Sequence, residues 1–286
     1  IAPTMSLPSS PDPDLGWPRL SDLPRSDAGA LQPRMWMSTR RSPSPDLRAH
    51  GRPPYDDFNL GDHVGDDPSV VHRHRQMVAQ VCGAEPVWLT QVHGRRVVRL
   101  SRSGDQCLAD GQAVGADPIR ADGSWTTEPG VACAVMVADC LPVLLAAPEG
   151  RGVAALHAGW RGLCGGVVEQ GVAALCEASA CDPADLMAWL GPCIGPMAFE
   201  VGAPVLEGFG LDPAIGHPAF VPQAAQNGQA KWLADLPHLA RQRLQGLGLV
   251  NVDGGTWCTV SDPSRFFSFR RDGVTGRQAA FIWLQR

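Results

Sequence analysis

A chain of 286 residues, 44% of them hydrophobic, is long enough to bury one large core, and its net charge of -5 is mild. The 24 Lys and Arg residues are spread along the chain without forming a basic stripe, which argues against nucleic acid as a partner. The longest apolar run, Val131 to Ala138, is far shorter than the ~20 residues of a membrane span, so we expect no segment to cross a membrane.

The first 30 residues are rich in proline and have few regularly spaced apolar residues. Such a segment gains too little burial to offset the entropy lost on ordering, so residues 1–30 are predicted to be a disordered tail. Residues 31–286 are predicted to form one catalytic domain. The N-terminus lacks the features of a secretory signal, and the nine cysteines show no C-x-x-C spacing, which together favour a reduced, cytoplasmic protein.

Short apolar segments predict strands over residues 34–39, 87–91 and 97–100, and helical periodicity predicts a helix over 68–81. Three continuous apolar runs at 131–138, 143–147 and 153–156 are typical of strands buried on both faces. A helix is predicted to begin after Gly159 and Gly162, followed by a strand over 186–190, a helix over 233–247 and a strand over 280–284. Because strands and helices do not alternate strictly, the predicted fold class is α+β, a layered sandwich with mixed sheets.

Three candidate metal ligands stand at the ends of predicted strands. His93 lies at a strand end beside Gly94, Cys140 follows the run 131–138, and His157 closes the run 153–156. Adjacent strands bring such ends close together, and one thiolate with two imidazoles is a donor set that favours zinc. Three protein ligands leave a fourth position open, which is typical of catalytic zinc.

The same residues permit two other interpretations. Cys140 as nucleophile and His157 as base would form the arrangement of a cysteine hydrolase, in which His93 has no role. The second interpretation is a metal-buffering protein without enzymic activity. Arg161 lies at a predicted helix start, where a guanidinium and free backbone N–H groups favour phosphate or carboxylate.

Several motifs occur in order along the chain: FNLG at 58–61, QVHG at 91–94, ADCLP at 138–142, HAGWRG at 157–162, LGP at 190–192, IGP at 194–196, FEVG at 199–202 and FRRDG at 269–273. In these motifs, from about Met35 onward, the chain resembles the laccase-domain proteins. Members of that family have been described as multicopper polyphenol oxidases, as purine nucleoside phosphorylases and as peptidoglycan editing factors.

The resemblance implies a fold and a chemistry. It implies an α/β/β/α sandwich, metal ligands at His93, Cys140 and His157, and a reach for adenosine, inosine, guanosine and methylthioadenosine. It also implies adenosine deamination beside phosphorolysis. Two departures from the family pattern concern Ser38 to Ser42, where the family has a Thr-Thr-Arg-x-Gly-Gly-like segment, and Phe199, where the family has Tyr.

We therefore predict a zinc-dependent purine nucleoside phosphorylase with adenosine deaminase and methylthioadenosine phosphorylase activity. The alternatives are an amide hydrolase that edits peptidoglycan precursors and a copper-dependent polyphenol oxidase. Copper ranks after zinc, because eight histidines offer too few paired H-x-H motifs for multicopper chemistry. Nucleosides and phosphate are the predicted partners, and the sequence leaves the oligomeric state open.

The predicted catalytic residues are His93, Cys140 and His157, with Asp139 or Glu200 moving protons. The predicted substrate-binding residues are Arg40, Asn59, Arg161 and Arg270, of which the arginines are expected to hold phosphate.

Overall fold

The structure is a computed structural model that describes residues 31–42, 52–115 and 118–285. The predicted tail over residues 1–30 lies outside the described residues and stays a prediction. The strands are β1 (Gln32–Met37), β2 (Glu85–Val87), β3 (Val97–Ser103), β4 (Gln106–Ala109), β5 (Gln112–Ala113), β6 (Gly123–Thr126), β7 (Val131–Val137), β8 (Leu141–Ala146), β9 (Val153–Ala158), β10 (Met187–Leu190), β11 (Glu200–Val201), β12 (Phe220–Gln226), β13 (Gln229–Ala234), β14 (Asn251–Gly254) and β15 (Gln278–Gln285). The α-helices are α1 (Pro68–Cys82), α2 (Trp160–Gly165), α3 (Val167–Ser179), α4 (Ala203–Gly208), α5 (Leu236–Gly246) and α6 (Phe269–Asp272).

Within the described residues these strands form three sheets. One has the order β1-β15-β7-β2, the largest has the order β14-β10-β8-β9-β6-β3-β4-β5, and a small one has the order β11-β13-β12. Parallel and antiparallel pairs occur together: β8 pairs antiparallel with β9, whereas β3 pairs parallel with β6. The sheets are therefore mixed, as predicted.

Strand β7 is buried on both faces because it lies between two apolar layers. Val131, Cys133 and Val135 point into the layer between the two larger sheets. Ala132 and Ala134 point to the other face, which α1 covers. Continuous burial of this kind explains why the run reads as unbroken hydrophobic sequence rather than as an alternating pattern.

Strand β9 divides its side chains in the same way. Ala155 faces the layer between the sheets, and Leu156 faces the helical layer that contains α3 and α5. The order of layers is thus helix, sheet, sheet, helix, which confirms the predicted α+β sandwich. In the ranges that the structure describes, no helix is long and apolar enough to span a bilayer.

Two helical predictions differ from the structure in their bounds. The helix expected after Gly159 is two helices, because Gly166 adopts a left-handed conformation with φ of 98° between α2 and α3. The helix expected over 233–247 begins later, since Leu233 belongs to β13. Asp235 caps α5 by accepting a hydrogen bond from the backbone N–H of His238, and this cap sets its start.

Leu156 is the side chain on which β6, β9 and α3 converge. It is fully buried, and a Cβ added to Gly123 or Gly171 would lie 2.7 or 2.6 Å from its methyl groups.

We expect Leu156→Ala to lower the free energy of unfolding by about 2–5 kcal/mol, because it leaves a cavity that this tight packing cannot close. Urea unfolding measures the change. Val250→Ala, at a side chain 73% exposed, should change it by less than about 0.5 kcal/mol; similar losses in both variants would contradict the packing.

Candidate active site

The three predicted ligands converge because the sheet brings their chain segments together. Leu141 lies opposite Ala158 in the β8–β9 pair, so Cys140 adjoins His157. Their ligand atoms and that of His93 all lie within 4.8 Å of one another, and Cys140 Sγ is 3.6 Å from His93 Nε2. The three side chains therefore come together as predicted, but His93 lies in the turn between β2 and β3 rather than at a strand end, and His157 lies within β9.

The turn that carries His93 is fastened to β7. Gln91 donates from Nε2 to the carbonyl of Met136 (2.8 Å) and accepts at Oε1 from the backbone N–H of Met136 (2.7 Å). His93 itself has a left-handed φ of 57°. Such a backbone costs roughly 1–3 kcal/mol and persists where the surroundings enforce it, which is common at functional sites.

The donor set suits a metal such as zinc, and the one spacing between His93 and Cys140 matches a tetrahedral zinc site. Bonds of about 2.0 Å to nitrogen and 2.3 Å to sulfur in a tetrahedral site separate the two donors by roughly 3.5 Å, close to the distance between His93 and Cys140. Gly159 permits this approach, since a Cβ there would lie 2.9 Å from both Cys140 Sγ and His93 Cδ2. Within the described ranges, this is the one group of three or more such side chains close enough to hold a metal ion.

Asp122 organises two of the three ligands and was missed by the sequence analysis. It is fully buried, and its Oδ1 lies 2.9 Å from His157 Nδ1, which leaves His157 Nε2 for the cluster. The same carboxylate accepts from the backbone N–H groups of His93 (2.8 Å) and Gly94 (2.7 Å). A carboxylate behind a ligating histidine is the usual means of fixing its tautomer and orientation.

Asp139 presents a fixed carboxylate beside Cys140. Its oxygens accept from the hydroxyl of Thr259 and from the backbone N–H of Arg270, each at 2.6 Å. Its φ of 93° is a left-handed value that only strong anchoring maintains in a non-glycine residue. Asp139 is thus held against the site rather than free to rotate.

A cavity of about 350 Å³ opens on the cluster. Its size suits a small molecule. Besides the three ligands, its wall includes aromatic and charged side chains: Trp160, Phe199, Phe269, Asp139, Arg270 and Arg277. Flat apolar rings and cations therefore line the same space.

The other predicted residues lie at varied distances from this cavity. Arg270 lines it, with Nη1 donating to the carbonyls of Ala198 and Glu200. Arg161 is exposed, stacks 4.3 Å over the ring of Trp160 and is not part of the cavity wall. Helix α2 has only six residues, so its N-terminus is a weaker site for an anion than the sequence predicted. Glu200 stands outside the wall, where Oε2 accepts from Gln226.

Arg40 and Asn59 lie away from the cavity wall. Arg40 borders a separate surface cavity, donates to the carbonyl of Pro263 and pairs with Asp56 at 3.7 Å. Asn59 is fully buried. The substrate-binding roles of both residues stay predictions that this placement does not support.

Two residues of the site carried little signal in the sequence. Asp122 precedes β6, and only the general need of a ligating histidine for a carboxylate partner could have suggested it. Arg277 follows Gly276 just before β15, where a single basic residue resembles any loop arginine. Both join the site through pairings that are distant in the chain.

The thiol and the buried imidazole influence each other's protonation. Burial would raise the pKa of Cys140, but the charge of His157 and hydrogen bonds from both histidines lower it to about 6. Burial would lower the pKa of His157, but the Cys140 thiolate and Asp122 raise it above its usual range. Without metal, an ion pair of thiolate and imidazolium is therefore expected near neutral pH.

Alkylation of chelator-treated protein by iodoacetamide should report this low pKa. We expect the rate at Cys140 to be level above about pH 7 and to fall about tenfold per pH unit below pH 6, because protonation removes the nucleophilic thiolate. Peptide mass spectrometry at each pH measures the rate. The fully buried Cys133, whose pKa burial raises to about 12, should stay unmodified. A midpoint near 8.5, as in a free thiol, would contradict the ion pair.

Residues 44–285 match the family model described as multi-copper polyphenol oxidoreductase laccase. The chain is 47% identical over 234 residues to purine nucleoside phosphorylase YfiH of Escherichia coli, covering 81% of this chain and 88% of that protein. It is 43% identical over 234 residues to a purine nucleoside phosphorylase of Haemophilus influenzae, with the same two coverages.

Two solved structures share the fold. Neisseria meningitidis protein NMB0706 superimposes with a TM-score of 0.75 at 40% identity, over 89% of this chain and 95% of that one. Bacillus licheniformis protein YfiH gives a TM-score of 0.75 at 28% identity, over 91% of this chain and 98% of that one.

Proposed function

Since this chain belongs to the multi-copper polyphenol oxidoreductase laccase family, we propose that it is a zinc-dependent purine nucleoside phosphorylase that also deaminates adenosine and cleaves methylthioadenosine. The observation that carries the proposal is the cluster of His93, Cys140 and His157 at the wall of a cavity of about 350 Å³. Relatives at 47% and 43% identity named purine nucleoside phosphorylase support the substrate class.

The cluster provides a place for zinc. His93, Cys140 and His157 would hold the ion, which when bound supplies Lewis-acid catalysis and activation of water. The contact of Asp122 with His157 Nδ1 leaves His157 Nε2 free to face the cluster. Asp122 also accepts from the backbone N–H of His93, which keeps His93 in place. The ligand geometry is therefore set before any substrate enters.

The cavity wall provides contacts for a nucleoside. The rings of Phe199 and Phe269 offer apolar surfaces on which a flat purine base can stack. Asp139, held by Thr259 and by a backbone N–H, has an oriented carboxylate that can hold or move a proton at the reacting centre. Glu200 stays the second proposed proton carrier, but it would have to act from outside the wall.

The products of the reaction test the proposal. Protein with measured zinc content is incubated with adenosine, inosine or methylthioadenosine, with and without phosphate, and the products are separated by chromatography. Adenine or hypoxanthine that appears only with phosphate supports phosphorolysis, and inosine from adenosine supports deamination. Removing zinc with a chelator should stop both reactions, and adding zinc back should restore them. If the zinc-loaded protein releases no base in the presence of phosphate, the proposal is contradicted.

An amide hydrolase that edits peptidoglycan precursors is the second candidate, and one observation favours it. Asp122, His157 and Cys140 form a carboxylate–imidazole–thiol chain in which the thiol has a pKa of about 6. That arrangement would support nucleophilic catalysis without metal. It predicts amide hydrolysis that is abolished by alkylation of Cys140 and unaffected by chelators.

Oxidation of phenols by copper ranks third. Multicopper oxidation requires several metal centres, whereas the ranges that the structure describes contain one cluster of suitable ligands. Two imidazoles and a thiolate can bind copper as well as zinc, so metal analysis of purified protein decides between the ions.

A further inference from the structure

Arg277 places a guanidinium on the wall of the same cavity as the three candidate ligands. Its Nη1 donates to the carbonyls of Thr275 (3.1 Å) and Gly276 (3.0 Å), which fixes one part of the group. Among the described residues, Nε and Nη2 have no hydrogen-bond acceptor, and no carboxylate forms a salt bridge with this guanidinium. Arg277 therefore has two N–H-bearing nitrogens available to a ligand.

The environment of Arg277 makes its charge effective. The residue is half-buried, and the negative charges of Cys140 and Asp139 act on it. An anion that entered the cavity would meet the negative Asp139 carboxylate, and a cation is needed to offset that repulsion. A partly desolvated guanidinium attracts an anion more strongly than a fully solvated one, because water screens it less.

Asn59 holds the backbone of Arg277. Its Oδ1 accepts from the backbone N–H groups of Arg277 (2.8 Å) and Gly61 (2.9 Å). Its Nδ2 donates to the carbonyl of Gly61 (3.0 Å) and to Asp66 (2.9 Å), and the backbone N–H of Leu60 donates to the carbonyl of Arg277 (3.0 Å). The segment 58–61 thus forms a support for Arg277 rather than a surface for substrate.

Gly61 lets the Arg277 side chain pass. A Cβ at this position would lie 2.8 Å from Cγ and 3.2 Å from Cβ of Arg277. Any larger residue would displace the stem of the guanidinium from its present path. Asn59 and Gly61 therefore fix the backbone and the side chain of the same arginine.

The other arginines considered for phosphate are less suited. Arg270 also lines the cavity, but it is exposed, whereas Arg277 is half-buried. Both guanidinium groups lie over an aromatic ring and donate to two backbone carbonyls, so burial is the difference between them. Arg161 and Arg40 stand outside the wall. Of the arginines on the cavity wall, Arg277 is the half-buried one.

We infer that Arg277 binds the phosphate co-substrate in this cavity, with Asn59 and Gly61 as positioning residues, an inference that rests on the proposed phosphorolysis. A planar guanidinium presents parallel N–H donors that match two oxygens of a phosphate. Phosphate bound there would lie in the same cavity as the nucleoside, as attack at C1′ requires. The bond between C1′ and the base nitrogen would break as a phosphate oxygen bonds C1′, and the base would leave with the proton that the phosphate gives up.

Kinetics of Arg277→Gln and Arg277→Lys test the inference. With inosine saturating, Arg277→Gln should raise the KM for phosphate by about ten- to hundredfold, because a charged hydrogen-bonding partner is lost. The KM for inosine should change less than about threefold. Arg277→Lys keeps the positive charge but loses the paired N–H donors of the guanidinium. Its KM for phosphate should lie between those of the native protein and Arg277→Gln. Arg73→Gln removes an exposed charge on α1 and is the matched control. Equal phosphate KM values in all four proteins would overturn the inference.

Gly61→Ala tests the positioning role without removing the guanidinium. The added methyl should raise the KM for phosphate by about three- to tenfold while kcat stays within about twofold, since the methyl meets the Arg277 stem most closely, at 2.8 Å, and Val64 at 3.3 Å. Gly165→Ala is a suitable control, because a Cβ at Gly165 would meet no neighbour within 4 Å. Gly104→Ala is unsuitable, because Gly104 has a positive φ. A fall in kcat with unchanged phosphate KM would contradict positioning.

Phosphate binding without turnover separates this inference from the proposed function. The 31P line width of inorganic phosphate, titrated with zinc-loaded protein, reports weak binding directly. Broadening by the native protein and by Arg73→Gln, but not by Arg277→Gln, supports the site even if no nucleoside is cleaved. If base is released but the native protein and Arg277→Gln broaden the line equally, the function stands and the role of Arg277 is wrong. If the native protein does not broaden the phosphate line at all, the role of Arg277 in phosphate binding is also wrong.

Discussion

Exchange of His93 for alanine should remove zinc from the protein and lower phosphate-dependent release of base by about 10³-fold or more. The expected size follows from the loss of several kcal/mol of Lewis-acid stabilisation of the transition state. Zinc content by elemental mass spectrometry and initial rates with inosine measure the two effects. His93 is the informative ligand because the metal-free mechanism depends on it less than on Cys140 and His157.

The contrast between the two mechanisms follows from the contacts. Without metal, Asp122, His157 and Cys140 form a complete chain. His93 contacts Cys140 Sγ at 3.6 Å and the ring of His157, and it lowers the pKa of the thiol less than His157 does. A thiol hydrolase should therefore keep most of its activity when His93 is replaced. Cys140→Ala and His157→Ala should abolish activity under either mechanism, so they cannot separate the two.

His72→Ala is the matched control for His93→Ala, because His72 is an exposed histidine on α1. It should keep native zinc content and native rates. Full zinc content and full turnover in His93→Ala would show that the three residues do not act as one metal site. Full turnover with amide substrates alone would instead favour the thiol mechanism.

The sequence was most informative where burial is continuous. The apolar runs of β7 and β9 predicted strands buried on both faces, and the structure places them between layers. The convergence of Cys140 and His157 was also predictable, because both stand at ends of strands that pair as neighbours. Local patterns can reveal these features because each depends on one short segment.

Features that depend on distant pairings were not predictable. Asp122 acts on a turn 28 to 30 residues away, and Arg277 is held by Asn59 at a separation of 218 residues. The motif at 58–61 indicated that Asn59 matters, but only the structure shows that its amide bonds the chain rather than facing the cavity. The break at Gly166 was missed because the apolar face continues on both sides of it.

Asp122→Asn should weaken zinc binding by about 10- to 100-fold, because it removes the charge that orients His157 and sustains its basicity. The substitution also disturbs the turn that carries His93. Oδ1 of Asp122 serves His93 N and His157 Nδ1, while Oδ2 accepts from Gly94 N at 2.7 Å. The added amide group must face one of these donors, which leaves a buried N–H unpaired at a cost of about 1–3 kcal/mol.

Competition with a chromophoric chelator measures the affinity of Asp122→Asn for zinc, and urea unfolding of the metal-free protein measures its stability. Asp253→Asn, an exposed aspartate on β14, should leave both unchanged. If Asp122 acts only by holding the ligands, kcat should return to within about tenfold of native at saturating zinc, since Asp122 itself is not part of the cavity wall. A kcat that stays about 10³-fold low with zinc bound would instead mean that the charge of Asp122 acts in the chemical step through His157. Native zinc affinity in this variant would show that His157 is oriented by packing within β9 and not by its carboxylate partner.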